Sequence, residues 1–193
     1  MISAVVLAAG EAKRMREPKL LMPFGQATII ESTLDSLLAS GVDEIVLVLG
    51  AEAERIGLAA GSRPVRLVLN PDYRAGMATS IVAGVQAASR GAGWIMIALG
   101  DQPLIEPETY RRIIEVCEDC DKGIVVPVRG GRRGNPVVFL HTYRHELLKL
   151  KGDIGGREVV AQHPGDVLEV AVDSAGVLAD IDDWVDYTRY SRS

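Results

Sequence analysis

The chain has 193 residues, 48% of them hydrophobic and 24% charged, with 21 basic against 26 acidic side chains for a formal charge of −5. That length suits a single domain spanning residues 1–193, with enough apolar residues to build a substantial core. The acidic balance argues against a nucleic-acid duplex or an anionic membrane as the main partner, although it leaves room for a local cationic pocket.

The first apolar run, Ser3–Ala8 (SAVVLA), carries no charge and reads as a buried strand. It breaks at Gly10 into a loop carrying Lys13, Arg14, Arg16 and Lys19, an unusual concentration of positive charge in an acidic chain. Gly10 and Gly25 are too widely spaced for either a dinucleotide-binding G-x-G-x-x-G or a Walker A loop. A phosphate here would be held by backbone amides near Ala9–Ala12 together with charged side chains. A solvated charged loop, with Glu11 and Glu17 offsetting the basic residues, is the alternative.

Thr28–Ser40 shows a helical pattern and Gly41 stands where a C-terminal glycine belongs. Strand patterns follow at Glu44–Leu49, Val65–Leu69, Trp94–Leu99 and Gly123–Val126, with helical patterns at Ala51–Ala60, Met77–Arg90 and Glu106–Cys120. Near-continuous apolar strands alternating with amphipathic helices predict an α/β fold, a mostly parallel sheet sandwiched by helices. Cys117 and Cys120 lack a second ligand pair or a helix N-terminus, and Cys117 falls in helical phase with Ile113 and Ile114, so it is assigned to the core.

Beyond Val128 the pattern changes. "VRGGRRGNPVVFL" predicts two strands around a glycine-rich turn and some antiparallel pairing. Helices are expected over Thr142–Lys151 and Gly156–Gln162, short strands over Val167–Val172 and Val177–Ile181, and a closing helix over Asp182–Tyr190. His141 and His145 have metal-ligand spacing but no obvious third ligand. No apolar run approaches membrane-spanning length and no cleavable leader pattern precedes the first strand, so the chain reads as soluble and cytoplasmic.

In open α/β sheets, ligands bind outside the carboxyl ends of the strands. That rule brings three segments to one crevice: "LAAG" with its cationic loop, "NPDYRAG" and "GDQP". Asp101, at the end of an apolar strand, would then face the cationic loop. Beside a bound phosphate its carboxylate would be repelled by about 4 kcal/mol per charge pair at ~4 Å and an effective dielectric of 20. A divalent cation reverses that sign, and Mg²⁺ commonly takes one or two carboxylates plus substrate phosphates. Lys and Arg on one wall and Asp101 on the other therefore suit metal-assisted phosphoryl or nucleotidyl chemistry; a turn or cap role for Asp101 is the alternative. "LADIDD" offers Asp180, Asp182 and Asp183 as a second ligand, or as helix caps. Gly76 and Ser80 sit at a helix start where a phosphate or a base edge could bind, or where ordinary capping would suffice.

"LAAGEAKRMREPKLLMPFG", "NPDYRAGMATSIVAG", "GDQPLI", "GRRGNPVVF" and "GDIGGR", in that order, resemble the molybdenum cofactor cytidylyltransferases, a branch of the MobA-like nucleotidyltransferases. The resemblance covers most of the chain and implies a nucleotide-diphospho-sugar transferase type of α/β fold. It implies transfer of CMP from CTP to the phosphate of molybdenum-bearing molybdopterin, releasing pyrophosphate. Leu7, Ala8, Ala9 and Gly10 would border the base and triphosphate, Arg14 and Lys19 would neutralise it, and Gly76 with Ser80 would help read the base. Asp101 would hold Mg²⁺ (Mn²⁺ as alternative) with Asp182 as second ligand, whereas Asn135, Gly152, Asp153 and Gly155 would lie toward the pterin. The implied partners are CTP, molybdenum cofactor and an apo-form molybdenum hydroxylase. A guanylyltransferase using GTP, or a non-catalytic cofactor carrier, fits the same motifs. Four positions depart from the family pattern: Ala12 for serine, Arg16 for glycine, Asn135 for histidine, and "DIDDWVDY" without a Thr-Pro pair. Lys13 and Arg16 receive no role.

Overall fold

The computed structural model describes residues 1–12, 15 and 17–191. In chain order the strands are β1 (Ile2–Ala8), β2 (Pro23–Phe24), β3 (Ala27–Thr28), β4 (Glu44–Leu49), β5 (Arg66–Leu69), β6 (Trp94–Leu99), β7 (Ile124–Arg129), β8 (Arg132–Arg133), β9 (Val137–Leu140) and β10 (Val167–Ala171). The helices are α1 (Ile29–Ala39), α2 (Ala53–Ala60), α3 (Met77–Ala87), α4 (Pro107–Asp119), α5 (Arg144–Leu147), α6 (Arg157–Gln162) and α7 (Trp184–Tyr190).

The main sheet runs in the order β10-β7-β9-β6-β1-β4-β5, with β8 pairing β7 at its far end. β1 lies inside it, between β6 and β4 and parallel to both. β9 runs antiparallel to β6 and β7, and β8 antiparallel to β7, which is the antiparallel character expected beyond Val128. Gly130 and Gly131 turn the β7–β8 hairpin with positive φ angles of 56° and 75°, backbone that glycine adopts without steric cost.

Because side chains alternate across a strand, the apolar run of β1 feeds two cores at once. Ala4, Val6 and Ala8 face a layer built by α1, α2, α4 and α7, and Val5 with Ala9 faces a layer built by α3, α5 and α6. This is why the central strands read as continuous apolar runs. Cys117 is buried in the first layer and burial pushes its thiol up to about 12, a packing residue rather than a nucleophile.

Helix α1 begins at a capping box: the Thr28 hydroxyl accepts from Glu31 N, and Glu31 accepts from Thr28 N at 2.8 Å. From its second turn, Thr33 donates its hydroxyl to Gly100 O at 3.1 Å, fixing the end of β6 where Asp101 follows.

Three expectations fail. Val177–Ile181 is not a strand: Ala175–Leu178 forms a single 3₁₀ turn, and its backbone bonds to loops instead of a ladder, as when Asn135 N donates to Val177 O. The helix expected over Thr142–Lys151 shrinks to a 3₁₀ turn and the four residues of α5. Helix α2 starts two residues late because Ala51 N bonds to Ala9 O, across the sheet edge, and Glu52 adopts a left-handed φ of 56°.

Helix α3 approaches the sheet through Gly84, where an added Cβ would stand 2.2 Å from Val5 Cγ1 and 2.8 Å from Val48 Cγ2. Both neighbours are β-branched and central, so neither can yield. Gly84→Ala should cost about 1–3 kcal/mol in denaturant unfolding with an unchanged m-value; unaltered stability would mean that α3 can slide. Glu31 is held below its ordinary value of 4.5, chiefly by the Thr28 hydroxyl. Its contribution is therefore present above that value and lost as pH falls through the lowered one. The stability gap between wild type and Glu31→Gln should shrink on acidification across roughly pH 5 to 3.

Candidate active site

The carboxyl ends of β1, β4 and β6 are pressed together before any side chain is considered. Gly100 N donates to Leu7 O at 3.0 Å, and Ala51 N to Ala9 O at the same distance. Gly50 permits this approach, since a Cβ there would lie 2.7 Å from Ala9 O. A cavity of about 550 Å³ opens over these ends, floored by Leu7, Ala8 and Leu99. Gly10, Lys19, Gly76, Ser80, Asp101 and Asp182 all line it as well, which brings the expected nucleotide and metal residues to one place. Arg14 lies outside the described residues, as do Lys13 and Arg16.

Lys19 begins a 3₁₀ turn after Pro18, and the next residue, Leu20, is buried in the core. This anchor throws the Lys19 side chain over the end of β6. Its ammonium donates to Asp101 Oδ2 at 2.6 Å and to Asp182 Oδ1 at 3.0 Å. Burial works against the ammonium, but the two carboxylates outweigh it and hold its pKa above 10.5. The sequence placed Lys19 and Asp101 on opposite walls; here they are in direct contact.

The three aspartates left open in "DIDD" divide by geometry. Asp183 is the N-cap of α7, accepting from Val185 N and Asp186 N. Asp182 turns to Lys19. Asp180, half-buried, accepts from Gln102 Nε2 at 2.6 Å, and burial together with the nearby Asp101 raises its pKa. Among the described residues no group of three His, Cys, Asp or Glu side chains converges as a metal site, His141 and His145 included. Asp101 and Asp182 nevertheless reach one point, now filled by the Lys19 ammonium, and hard carboxylate oxygens suit Mg²⁺ or Mn²⁺ with the remaining positions taken by substrate oxygens and water.

On the opposite rim, the buried Asn70 organises "NPDYRAG". Its amide donates to Thr79 Oγ1 at 2.9 Å and Ser80 Oγ at 3.0 Å, and its Oδ1 accepts from Asp72 N. Ser80 is held at the cavity edge with its own proton still without an acceptor among the described residues. Sequence reasoning passed over Asn70; a polar residue directly after an apolar strand and before Pro71 was the available signal. Gly76, at φ 116°, lies so close to the next loop that a Cβ would meet Gly152 O at 2.3 Å. Gly152 O accepts from Ala78 N, and Asp153 Oδ1 from Met77 N at 3.3 Å, so the "GDIGG" loop is seated on the start of α3.

That loop also borders a second chamber of about 300 Å³, which shares Leu7, Leu99, Asp153 and Asp180 with the first. Asn135 and Gly155 line it over an apolar floor that includes Ile81 and Val137. Arg157, which sequence reasoning also passed over, projects into the same chamber. The opposite end of the first cavity is rimmed by Arg74, paired with Glu11 at 2.8 Å.

A family model described as a MobA-like NTP transferase domain matches residues 4–167. Nicotine blue oxidoreductase of Paenarthrobacter nicotinovorans is 33% identical over 185 residues, covering 91% of this chain and 90% of that protein. Molybdenum cofactor cytidylyltransferase of Escherichia coli (strain K12) is 25% identical over 182 residues, covering 94% and 91% respectively. Among solved structures, a Mycobacterium tuberculosis H37Rv protein at 35% identity superposes with a TM-score of 0.90 over 100% of this chain and 97% of its own. The same protein has been solved in complex with manganese, with a TM-score of 0.86 over 100% and 98%. The fold is thus the nucleotide-diphospho-sugar transferase type. No helix among the described residues is long and apolar enough to cross a membrane.

Asn70→Ala leaves the Ser80 and Thr79 hydroxyls without their donor and should cost about 1–3 kcal/mol by denaturant unfolding. The same variant should lose nucleotide affinity, because Ser80 is no longer held at the rim. Wild-type behaviour in both assays would remove Asn70 from the site.

Proposed function

The chain belongs to the MobA-like NTP transferase family, and we propose that it transfers CMP from CTP to the terminal phosphate of molybdenum-bearing molybdopterin. The products are pyrophosphate and molybdopterin cytosine dinucleotide, formed in the cytoplasm for delivery to an apo-hydroxylase. The observation that carries this reading is the convergence of Lys19, Asp101 and Asp182 at the mouth of the strand-end crevice.

In this reading the base and sugar lie along Leu7–Gly10, and the Ser80 hydroxyl donates to the base. Lys19 neutralises the triphosphate and the charge that develops as pyrophosphate leaves, and Arg14 is assigned the same task. Such fixed charges stabilise a transition state without reorganising during the reaction. Asp101 and Asp182 would hold the divalent cation, whose contribution is to bridge and neutralise phosphate oxygens. The attacking group is itself a phosphate anion, so the chain need supply no nucleophile. Residues after about 128 contribute the acceptor subsite, with Asn135, Gly152, Asp153 and Gly155 around the second chamber.

A second reading has a specific observation behind it: a relative 33% identical to this chain is named an oxidoreductase. The same crevice would then serve redox chemistry on a ring seated in the apolar chamber. Two carboxylates converging on a lysine favour the transferase, because a metal–triphosphate calls for carboxylates and a cation at one point.

Purified protein with Mg²⁺ and freshly prepared molybdenum cofactor should release pyrophosphate from CTP and not from GTP or ATP. GTP-only release would make it a guanylyltransferase, binding without turnover a carrier, and reduced-nicotinamide oxidation without pyrophosphate an oxidoreductase. Asp101→Ala should lower Mg²⁺-dependent turnover at least ~100-fold, the scale of losing one electrostatic stabiliser; near wild-type turnover would remove Asp101 from metal binding.

A further inference from the structure

We propose that Lys19 is a built-in counter-ion that occupies the divalent-cation position in the free protein and exchanges places with the metal when the nucleotide arrives. The proposal rests on the transferase reading in that the exchange serves a metal–triphosphate substrate.

The geometry is direct. Two carboxylates 81 residues apart in the chain, Asp101 after β6 and Asp182 before α7, point at one ammonium, at 2.6 and 3.0 Å. Asp101 and Lys19 side chains are each less than a fifth exposed, so the pair is sheltered from screening by water. A third carboxylate, Asp180, lines the same cavity and accepts from Gln102 Nε2 at 2.6 Å. Without Lys19 the carboxylates of Asp101 and Asp182 would face one another with one cation fewer between them. With it, the two carboxylates stay preorganised and their mutual repulsion is offset.

The same arrangement makes the metal and the lysine competitors. Two positive groups cannot share the gap between Asp101 and Asp182, so a cation entering alone must first break both ion pairs of the ammonium. A triphosphate offers the ammonium a replacement anion. Lys19 on a flexible four-carbon stem can swing from the carboxylates to the phosphate oxygens while the cation takes its former place. Metal alone therefore binds weakly and metal with nucleotide binds well, so the site assembles only on the true substrate.

The proposal makes a counter-intuitive prediction: removing a lysine strengthens metal binding. Mn²⁺ alone, with no nucleotide, is titrated against wild type, Lys19→Met and Lys19→Gln, with free Mn²⁺ read from its paramagnetic resonance signal. Lys19→Gln retains a hydrogen-bond donor to the carboxylates should the methionine variant fold poorly. Both variants should bind Mn²⁺ at least about ten-fold more tightly than wild type, since one positive charge has left a gap of two carboxylates. Adding Asp182→Asn to either variant should abolish the gain. Equal or weaker Mn²⁺ affinity, no measurable binding, or a gain that survives Asp182→Asn would each overturn the exchange. The readout needs no turnover: tightening with no pyrophosphate from any nucleotide would retain the exchange and reject the transferase, and turnover without tightening would do the reverse.

Discussion

The Lys19 ammonium is the knot of this structure. It joins Asp101, 82 residues away, to Asp182, 163 residues away, and so closes the first loop, the central strand and the last helix around one point. A half-sheltered ion triad of this kind contributes little to stability, because desolvation offsets most of the attraction. What it fixes is position. The C-terminal segment carrying Asp182 is tied down by further bonds of the same reach: Ile181 N to Asp101 O, Trp184 Nε1 to Met15 O, and Tyr187 hydroxyl to Pro23 O. The last twenty residues thus act as a strap across the segment that begins at the cationic loop, and the site depends on residues at both ends of the chain.

How much of this could be read from the residues follows from which interactions are local. The alternation of apolar strands and amphipathic helices is a short-range signal, and it located the parallel core and the crevice because both faces of β1 must be covered. The division among Asp180, Asp182 and Asp183 was not legible. Each is a carboxylate beside a helix start, and local rules favour all of them as caps alike. Tertiary geometry decided: Asp183 alone reaches the first amides of α7, leaving Asp182 for a lysine far away in sequence. Val177–Ile181 failed as a strand for a related reason. Its apolar residues are buried as expected, with Val177 and Ile181 fully so. Burial, however, comes from packing on loops: a Cβ on Gly176 would strike Leu104 O at 2.4 Å, so there is no room for a ladder partner on that side. Periodicity reports burial and says nothing of what lies alongside.

The relatives sharpen what a fold can carry. One is named a cytidylyltransferase and another an oxidoreductase, and both span about nine-tenths of this chain. Relatives of one fold thus carry names from more than one chemistry, and function has to be argued from the side chains around the crevice. Asn135 borders the second chamber, and "DIDDWVDY" places Trp184 and Tyr187 where they bond to the first loop region.

The two chambers also explain how a reaction between two anions could be run without a protein nucleophile. Leu7, Leu99, Asp153 and Asp180 belong to both, so whatever fills each chamber rests on one rigid floor, the ends of β1 and β6. Those strand ends are bonded to each other at Gly100 and Leu7, and α3 is locked above them through Gly84. Holding two reactants on a common, unyielding surface converts a bimolecular encounter into an intramolecular one, worth up to about 7–11 kcal/mol of barrier when the alignment is good. In the proposed reaction the remaining obstacle is mutual repulsion of the phosphates, which Lys19 and a cation held by Asp101 and Asp182 on the wall of the first chamber would offset. In that reaction the sheet would supply proximity and the triad with its cation the charge balance.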